Sequence, residues 1–430
     1  MVEKEDAGAG ILPQAVGAER PGSGWPARLD RTVAWCGALV PAGVVLGNAA
    51  FESLVALAGL VWLIRLAVVR DNPVPAWKRA GILLPWAAWV AAIWLSLFVN
   101  GAGSKGWGHD LAFLRFLLFG AALLDVGTRR PLGRIFVQGL AGALVLAAAN
   151  TVSALVFGAD LLGKPAVRYT GKLKEASRIA GLCAYAVPFF VAWAVSDRNQ
   201  GKRARAWVMF FGVLAFAQVL QTQVRTSILA AIGAVVLAMA VVHRRRMLTG
   251  WGLAAVAAFI ASALWLFFHF ELWNLASFYD RIYYWRVGWY MFLDNPVFGT
   301  GISGFQEAYT AWAQSGIAEP FVAPNGRVYQ LAELTHLHNL LLMVAVCTGI
   351  LGLAAFGWLF VRASLKAFNQ ARGWRHGLAT WPFVVLLVGV TGFNIYHSWY
   401  QALLAWFLVL IAAPWRESTA AQNPGTTTHA

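Results

Sequence analysis

Residues 336–361 read HLHNLLLMVAVCTGILGLAAFGWLFV, an apolar run with no Asp, Glu, Lys or Arg, which ends at Arg362. At about 1.5 Å per residue such a run is long enough, as a helix, to cross the ~30 Å hydrocarbon core of a bilayer. Working outward from it, comparable runs fall at about 32–48, 50–69, 80–99, 109–126, 134–157, 180–196, 204–222, 224–243, 250–270, 378–395 and 397–413. The composition agrees. The 430 residues are 59% hydrophobic and 12% charged, about half the ~25% charge of an ordinary soluble domain, which excludes an ordinary cytosolic enzyme. The fold expected is therefore all-α: a polytopic integral membrane helical bundle of about twelve transmembrane helices. The break between the seventh and eighth rests only on the short polar stretch from Gln221 to Ser227. Cys36, Cys183 and Cys347 sit inside apolar runs without metal-type spacing, so they read as small core residues and not as a disulfide framework.

The net charge of +15, from 34 Lys and Arg against 19 Asp and Glu, is explained by its placement. Basic residues gather in alternate connections: Arg70, Lys78 and Arg79; Arg129, Arg130 and Arg134; Arg198, Lys202, Arg203 and Arg205; Arg244, Arg245 and Arg246; Arg362, Lys366, Arg372 and Arg375. By the positive-inside rule these face the cytoplasm, as do both termini. Nucleic acid is not needed to account for the excess. The parts expected are a cytoplasmic tail over 1–31, helices one to nine over 32–270, an outer loop over 271–335, helices ten to twelve over 336–413 and a cytoplasmic tail over 414–430. The first 30 residues lack a signal-peptide pattern, so the first span is its own insertion signal.

Two connections on the opposite face stand apart. The 158–179 loop carries Lys164, Arg168, Lys172, Lys174 and Arg178 against Asp160 and Glu175, more positive charge than a short outer loop needs, and reads either as a solvated loop or as an anion-binding surface. The 271–335 loop is too long for a structureless linker and is expected to hold amphipathic interfacial helices. In 278–293 the spacing puts Ile282, Trp285, Trp289 and Phe292 near one helical face, with Tyr283, Tyr284, Trp285 and Trp289 read as headgroup-zone anchors. Arg281 and Arg286 offer planar forks for phosphate oxygens. Gly299, Gly301 and Gly304 formally match a dinucleotide fingerprint, but they follow a predicted helix and not a strand; a sharp turn ending the amphipathic helix accounts for them.

The segment Glu333-Leu-Thr-His336-Leu-His338-Asn339 stands at the entrance to the tenth span. With Thr335 or a neighbour as cap, His336 and His338 are expected in the first helical turn, where the helix dipole favours neutral imidazole, the form a general base needs. A metal site is disfavoured because residues two apart do not share a helix face and no third ligand is evident; an inert helix-end histidine stays open. Arg115 and Arg225 fall in or at the outer end of apolar spans, where a buried arginine faces a polar cavity or a charged partner. Arg65, nearer the cytoplasmic end, is expected to snorkel.

In order along the chain, Val224-Arg225-Thr226-Ser227, Arg281-Ile-Tyr-Tyr-Trp285, Asp294-Asn-Pro296-x-x-Gly299-x-Gly301 and His336-Leu-His338-Asn339 resemble the O-antigen ligase and polymerase superfamily over about 220–360. Val224 stands where other members commonly have Ser. The resemblance implies a Gram-negative inner-membrane, metal-independent glycosyltransferase without cofactor. Its donor is a polyprenyl-pyrophosphate-linked glycan, and its active site faces the periplasm. It gives His338 the acceptor-activating role and Arg225 and Arg281 the pyrophosphate, with Arg286, His336, Asn339 and Arg115 in the substrate-binding set. As a ligase the chain would transfer O-antigen from undecaprenyl pyrophosphate to a sugar hydroxyl of lipid A core in a single inverting displacement, embedded among membrane lipids. The alternatives are an O-antigen polymerase, a protein glycosyltransferase and, from another class, a lipid-linked oligosaccharide transporter. The short segment after 413 disfavours the protein-modifying branch, and the lack of an internal repeat disfavours a transporter.

Overall fold

The computed structural model describes residues 24–101, 104–165, 173–197, 200–242, 261, 275–315, 321–322, 326, 328–329, 334–391 and 395–413. The chain is a bundle of α-helices: α1 (Trp25–Leu46), α2 (Asn48–Val69), α3 (Val74–Ala80), α4 (Leu83–Asn100), α5 (Ser104–Leu111), α6 (Leu114–Val126), α7 (Leu132–Phe157), α8 (Leu173–Ser196), α9 (Lys202–Gln221), α10 (Arg225–Val242), α11 (Leu275–Asp294), α12 (Phe305–Gln314), α13 (Leu340–Asn369), α14 (Trp381–Thr391) and α15 (Ser398–Ala412). One small antiparallel pair joins β1 (Phe321–Val322) to β2 (Val328–Tyr329). Among the described residues, seven helices are long and apolar enough to cross a membrane: α1, α2, α4, α7, α8 from Ala176, α9 and α13.

The other expected spans resolve differently. The one at 109–126 is interrupted between α5 and α6, and the one at 378–395 becomes a 3-10 segment, Gly373–Thr380, leading into the short α14. The one at 250–270 lies outside the described residues apart from position 261. The weakly signalled break at Arg225 is real: α9 stops at Gln221, Gln223 takes a left-handed φ of 53°, and α10 opens on Arg225. Helix α1 starts at Trp25, ahead of the apolar run, because Pro26 suits a first helical turn and Asp30 is buried with partners. Helix α15 is buried from Trp399 through Ala412. A helix apolar all round is stable only when neighbours enclose it, and α1, α2, α6, α7, α8 and α13 do so.

Arg65 does not snorkel. It is 3% exposed, with Nε 2.7 Å from Asp30 Oδ1 and Nη2 2.6 Å from Asp71 Oδ2. Arg129 donates to both Asp125 (2.8 Å) and Asp30 (3.1 Å), and Trp62 Nε1 donates to Asp125 Oδ2 at 2.9 Å. Buried charge is tolerated only when paired. This network ties α1, α2 and α6 together, with acids the sequence reading had not assigned to Arg65.

At the other end of the bundle, α13 is broken at Gly349 (φ 63°, ψ −164°). A break within a membrane-crossing helix orphans main-chain groups, and the turn after α11 supplies them with partners. Thr300 N donates to Val346 O (2.8 Å), Gly301 N to Cys347 O (3.0 Å) and Ile350 N to Pro296 O (2.8 Å). Ser96 Oγ of α4 also donates to Cys347 O (2.8 Å), and Asn100 Nδ2 to Gly299 O (2.9 Å). A Cβ on Gly299 would run into the α13 backbone, and one on Gly349 into the Val297 carbonyl. The glycines thus end α11, as the sequence indicated, and also let two backbones meet.

Gly349→Ala should lower the thermal stability of the detergent-purified protein far more than Gly101→Ala. Both positions have φ near 63°, but a Cβ at Gly101 meets open space. Strain alone is about 1–2 kcal/mol, so equal losses in a size-exclusion thermostability assay would show that the interhelix splice contributes nothing.

Candidate active site

The histidine segment lies ahead of a helix and not inside it. Helix α13 begins at Leu340, and Asn339 is its N-cap, its side chain accepting from Leu342 N at 3.0 Å. His336 and His338 therefore occupy the preceding turn, with His338 in a left-handed conformation (φ 53°). This corrects the expected first-turn placement: Asn caps more effectively than the chain around Thr335, and the reversal at His338 brings two side chains together that a helix would have separated. The His336 and His338 ring centres are 4.0 Å apart.

Helix α11 holds this turn in place. Trp285 Nε1 donates to Leu337 O at 3.0 Å, and Leu337 is buried against Gly288, where a Cβ would collide with it. The buried face of α11 is Tyr283, Tyr284, Val287 and Met291. Of the face expected from Ile282, Trp285, Trp289 and Phe292, Trp289 is 53% exposed, whereas Trp285 and Phe292 are partly buried against the core. The anchoring role assigned to the aromatic residues thus divides: Trp289 faces outward, whereas Tyr284 stacks on His338 (6.1 Å between centres) and Trp285 fixes the loop backbone.

A third imidazole, which the sequence reading had passed over, completes the cluster. His397 occupies the N-cap position of α15, stacks on Trp399 and meets His336 edge-on at 5.4 Å. A lone His within an apolar segment after His338 gave little signal, because only the packing of α15 against α13 brings it there. Burial, with His338 and His397 adding to it, drives the His336 pKa from 6.5 to about 3. His336 is therefore neutral at physiological pH, and its Nδ1 lies 3.1 Å from Thr335 Oγ1.

Two arginines gather beside the histidines. Arg281 is partly buried, and its pKa is lowered by that burial, with Tyr284 and Asp280 acting in the opposite direction and Arg225 adding to the fall. Arg225, at the first turn of α10, is thus close enough to Arg281 for their charges to repel. Tyr284 touches both groups: it interacts with Arg281 and stacks on His338. Arg286 is exposed, five residues further along α11. Arg115 is engaged elsewhere, donating to Ala112 O (2.8 Å), pairing with Glu52 at 3.5 Å and lying 4.6 Å over the Phe116 ring. Of the basic 158–179 loop, residues 166–172 lie outside the described residues. Among the described residues, no group of three or more His, Cys, Asp or Glu is arranged to hold a metal ion.

These features define a multi-pass helical membrane protein with a cluster of imidazoles, His336 among them held neutral, and a repelling arginine pair at one end of its bundle. Residues 210–357 match the model of the O-antigen ligase family. The matched segment runs from α9 into α13 and includes Arg225, Arg281, Arg286, His336, His338 and Asn339; Arg115 and His397 lie outside it. No curated protein matches the chain.

The low pKa of His336 has a consequence for stability. Between about 3 and 6.5 the unfolded chain binds more protons at this residue than the native protein does, so native stability rises with pH across that window. His336→Gln should flatten the dependence of thermal stability on pH between about 4 and 6.5. An unchanged slope would mean that His336 is not held in a dry, like-charged environment.

Proposed function

We propose that the protein is a polysaccharide ligase of the O-antigen type, transferring a glycan from undecaprenyl pyrophosphate to a sugar hydroxyl of lipid A core at the periplasmic face of the inner membrane. The observation that carries this reading is the juxtaposition of Arg225 and Arg281 beside His338, linked through Tyr284. Two like charges held together at partial burial are stabilised by an anion between them, and a guanidinium matches phosphate oxygens in a planar fork.

In this mechanism the pyrophosphate of the donor lies on Arg225 and Arg281, at the N-terminus of α10, whose dipole adds to the positive field. Arg286 is placed to meet a more distant part of the anion. His338 takes the proton from the acceptor hydroxyl as its oxygen attacks the anomeric carbon. The bond to the pyrophosphate oxygen breaks, the configuration inverts, and the arginines stabilise the charge that builds on the leaving group. His336 packs against His338 and orients its ring, with His397 behind His336, Asn339 fixes the turn by capping α13, and no metal or cofactor takes part. Arg115 acts at a distance, through Glu52 and the packing of α6. An apolar crevice of about 260 Å³ between α8, α9 and α10, lined by Val187, Val191, Met209, Val213, Phe216 and Ile232, supports a lipid-linked donor. Ile232 is two turns along α10 from Arg225, a suitable depth for an isoprenoid chain below its headgroup.

The test is reconstitution with undecaprenyl-pyrophosphate-linked O-antigen and lipid A core in the presence of chelator, read as a ladder on the core. General-base assistance contributes about 10²–10⁴-fold, so His338→Ala should lose at least about 100-fold in turnover while still binding donor. Arg281→Ala should weaken donor use roughly 10- to 100-fold, the range for hydrogen bonds to charged groups, with normal membrane insertion. Unchanged donor kinetics in Arg281→Ala would overturn the phosphate assignment. Growth of glycan on the donor and none on the core would identify a polymerase instead.

A further inference from the structure

The same end of the bundle carries a polar surface that the transfer chemistry leaves unused. Ser303, Gln306, Glu307, Thr310 and Gln314 line a groove of about 550 Å³ along the outward face of α12. Their spacing follows one stripe of the helix, while Phe305, Tyr309 and Ala313 bury the other side.

The hydrogen-bonding inventory of the groove is specific. Thr310 Oγ1 donates its proton to Gln306 O (2.9 Å), and Ser303 Oγ donates to Asp110 Oδ2 (2.9 Å). Both hydroxyl oxygens therefore turn lone pairs toward the groove, where the Glu307 carboxylate adds acceptors and the Gln306 and Gln314 amides add donors. Asp110, at the end of α5, is 0% exposed, and its second oxygen lies 2.9 Å from Nδ1 of His109, which is 56% exposed. With the carboxylate accepting from Nδ1–H, the exposed His109 ring extends the polar rim past Ser303. Trp94 Nε1 holds the Asp110 backbone from α4 at 3.3 Å.

We propose that this groove, with His109 at its edge, is a subsite for an uncharged, hydroxyl-rich glycan, a reading that rests on the ligase function above. Sugar hydroxyls donate and accept at once and match a mixed row of carboxylate, amide and hydroxyl groups. Among the described residues the groove carries Glu307, with Asp110 behind it, and no Lys or Arg in its lining, which complements the arginine pair that would hold the pyrophosphate. It is anchored to the site: Ser303 follows the Gly299–Gly301 turn bonded into α13, and Asn100, just ahead of α5, holds Gly299 O.

The experiment uses the full chain in nanodiscs with two lipid-free probes: O-polysaccharide released by mild acid, and dephosphorylated core oligosaccharide. Saturation-transfer NMR should show binding of at least one probe. Glu307→Ala with Gln306→Ala, both exposed positions, should weaken it roughly three- to tenfold, the scale of one or two lost hydrogen bonds. The binding measurement requires no turnover, so a failure of the catalytic reading leaves it intact. In the transfer assay, a raised KM for donor alone identifies the donor chain as occupant, and a raised KM for core alone identifies the acceptor. If neither probe binds wild type, or if the double variant keeps wild-type binding and both KM values, the subsite is refuted.

Discussion

A helix broken inside a membrane protein must find partners for the main-chain groups it releases, and in this chain the partners come from another backbone. The turn after α11 bonds into the gap at Gly349 through Thr300, Gly301 and Pro296. Side chains would keep the two strands of backbone apart, which is why both sides of the contact carry glycine. The position of α11 against the start of α13 follows from this splice, and with it the position of Arg281 and Tyr284 relative to His338. The hydrogen bonds from Ser96 and Asn100 bring α4 into the same junction.

The site built on that junction separates charge from neutrality. His336 is packed among two other imidazoles and held neutral by burial, while Arg225 and Arg281 are kept charged and close to one another. An environment that disfavours protonated imidazole beside fixed guanidinium charge suits a reaction in which a base must stay unprotonated and a leaving group must gather negative charge. The opposite end of the bundle handles charge differently: Arg65 and Arg129 are matched by Asp30, Asp71 and Asp125, so those arginines join helices and leave no positive field for a ligand.

Much of this was legible in the sequence because its signals are local. The apolar runs gave the helices, the short polar stretch at Gln221–Ser227 gave the α9–α10 break, and the motifs around Arg225, Arg281 and His338 fall inside the segment that matches the O-antigen ligase family model. Where the reading failed, the deciding interaction was long-range. Arg65 is too close to the membrane end for its sequence context to reveal that acids from two other segments enclose it. Aromatic residues cover both sides of α11, and only its contact with Leu337 and α12 selects Tyr283, Tyr284, Val287 and Met291 for full burial.

The sequence by itself determined that this chain is a bundle of apolar helices, where most of its breaks fall and which residue types could bind an anion and move a proton. Those properties follow from hydropathy, from helix-ending residues and from the chemistry of single side chains. Tertiary structure alone decided that Asn339 caps α13 and leaves His338 in a left-handed turn, that His397 joins the pair, and that Arg115 belongs to Glu52 while Arg225 belongs with Arg281. Apart from the local cap at Asn339 and the turn at His338, each is a contact between segments far apart in the chain, set by how the helices pack and not by the residues beside it.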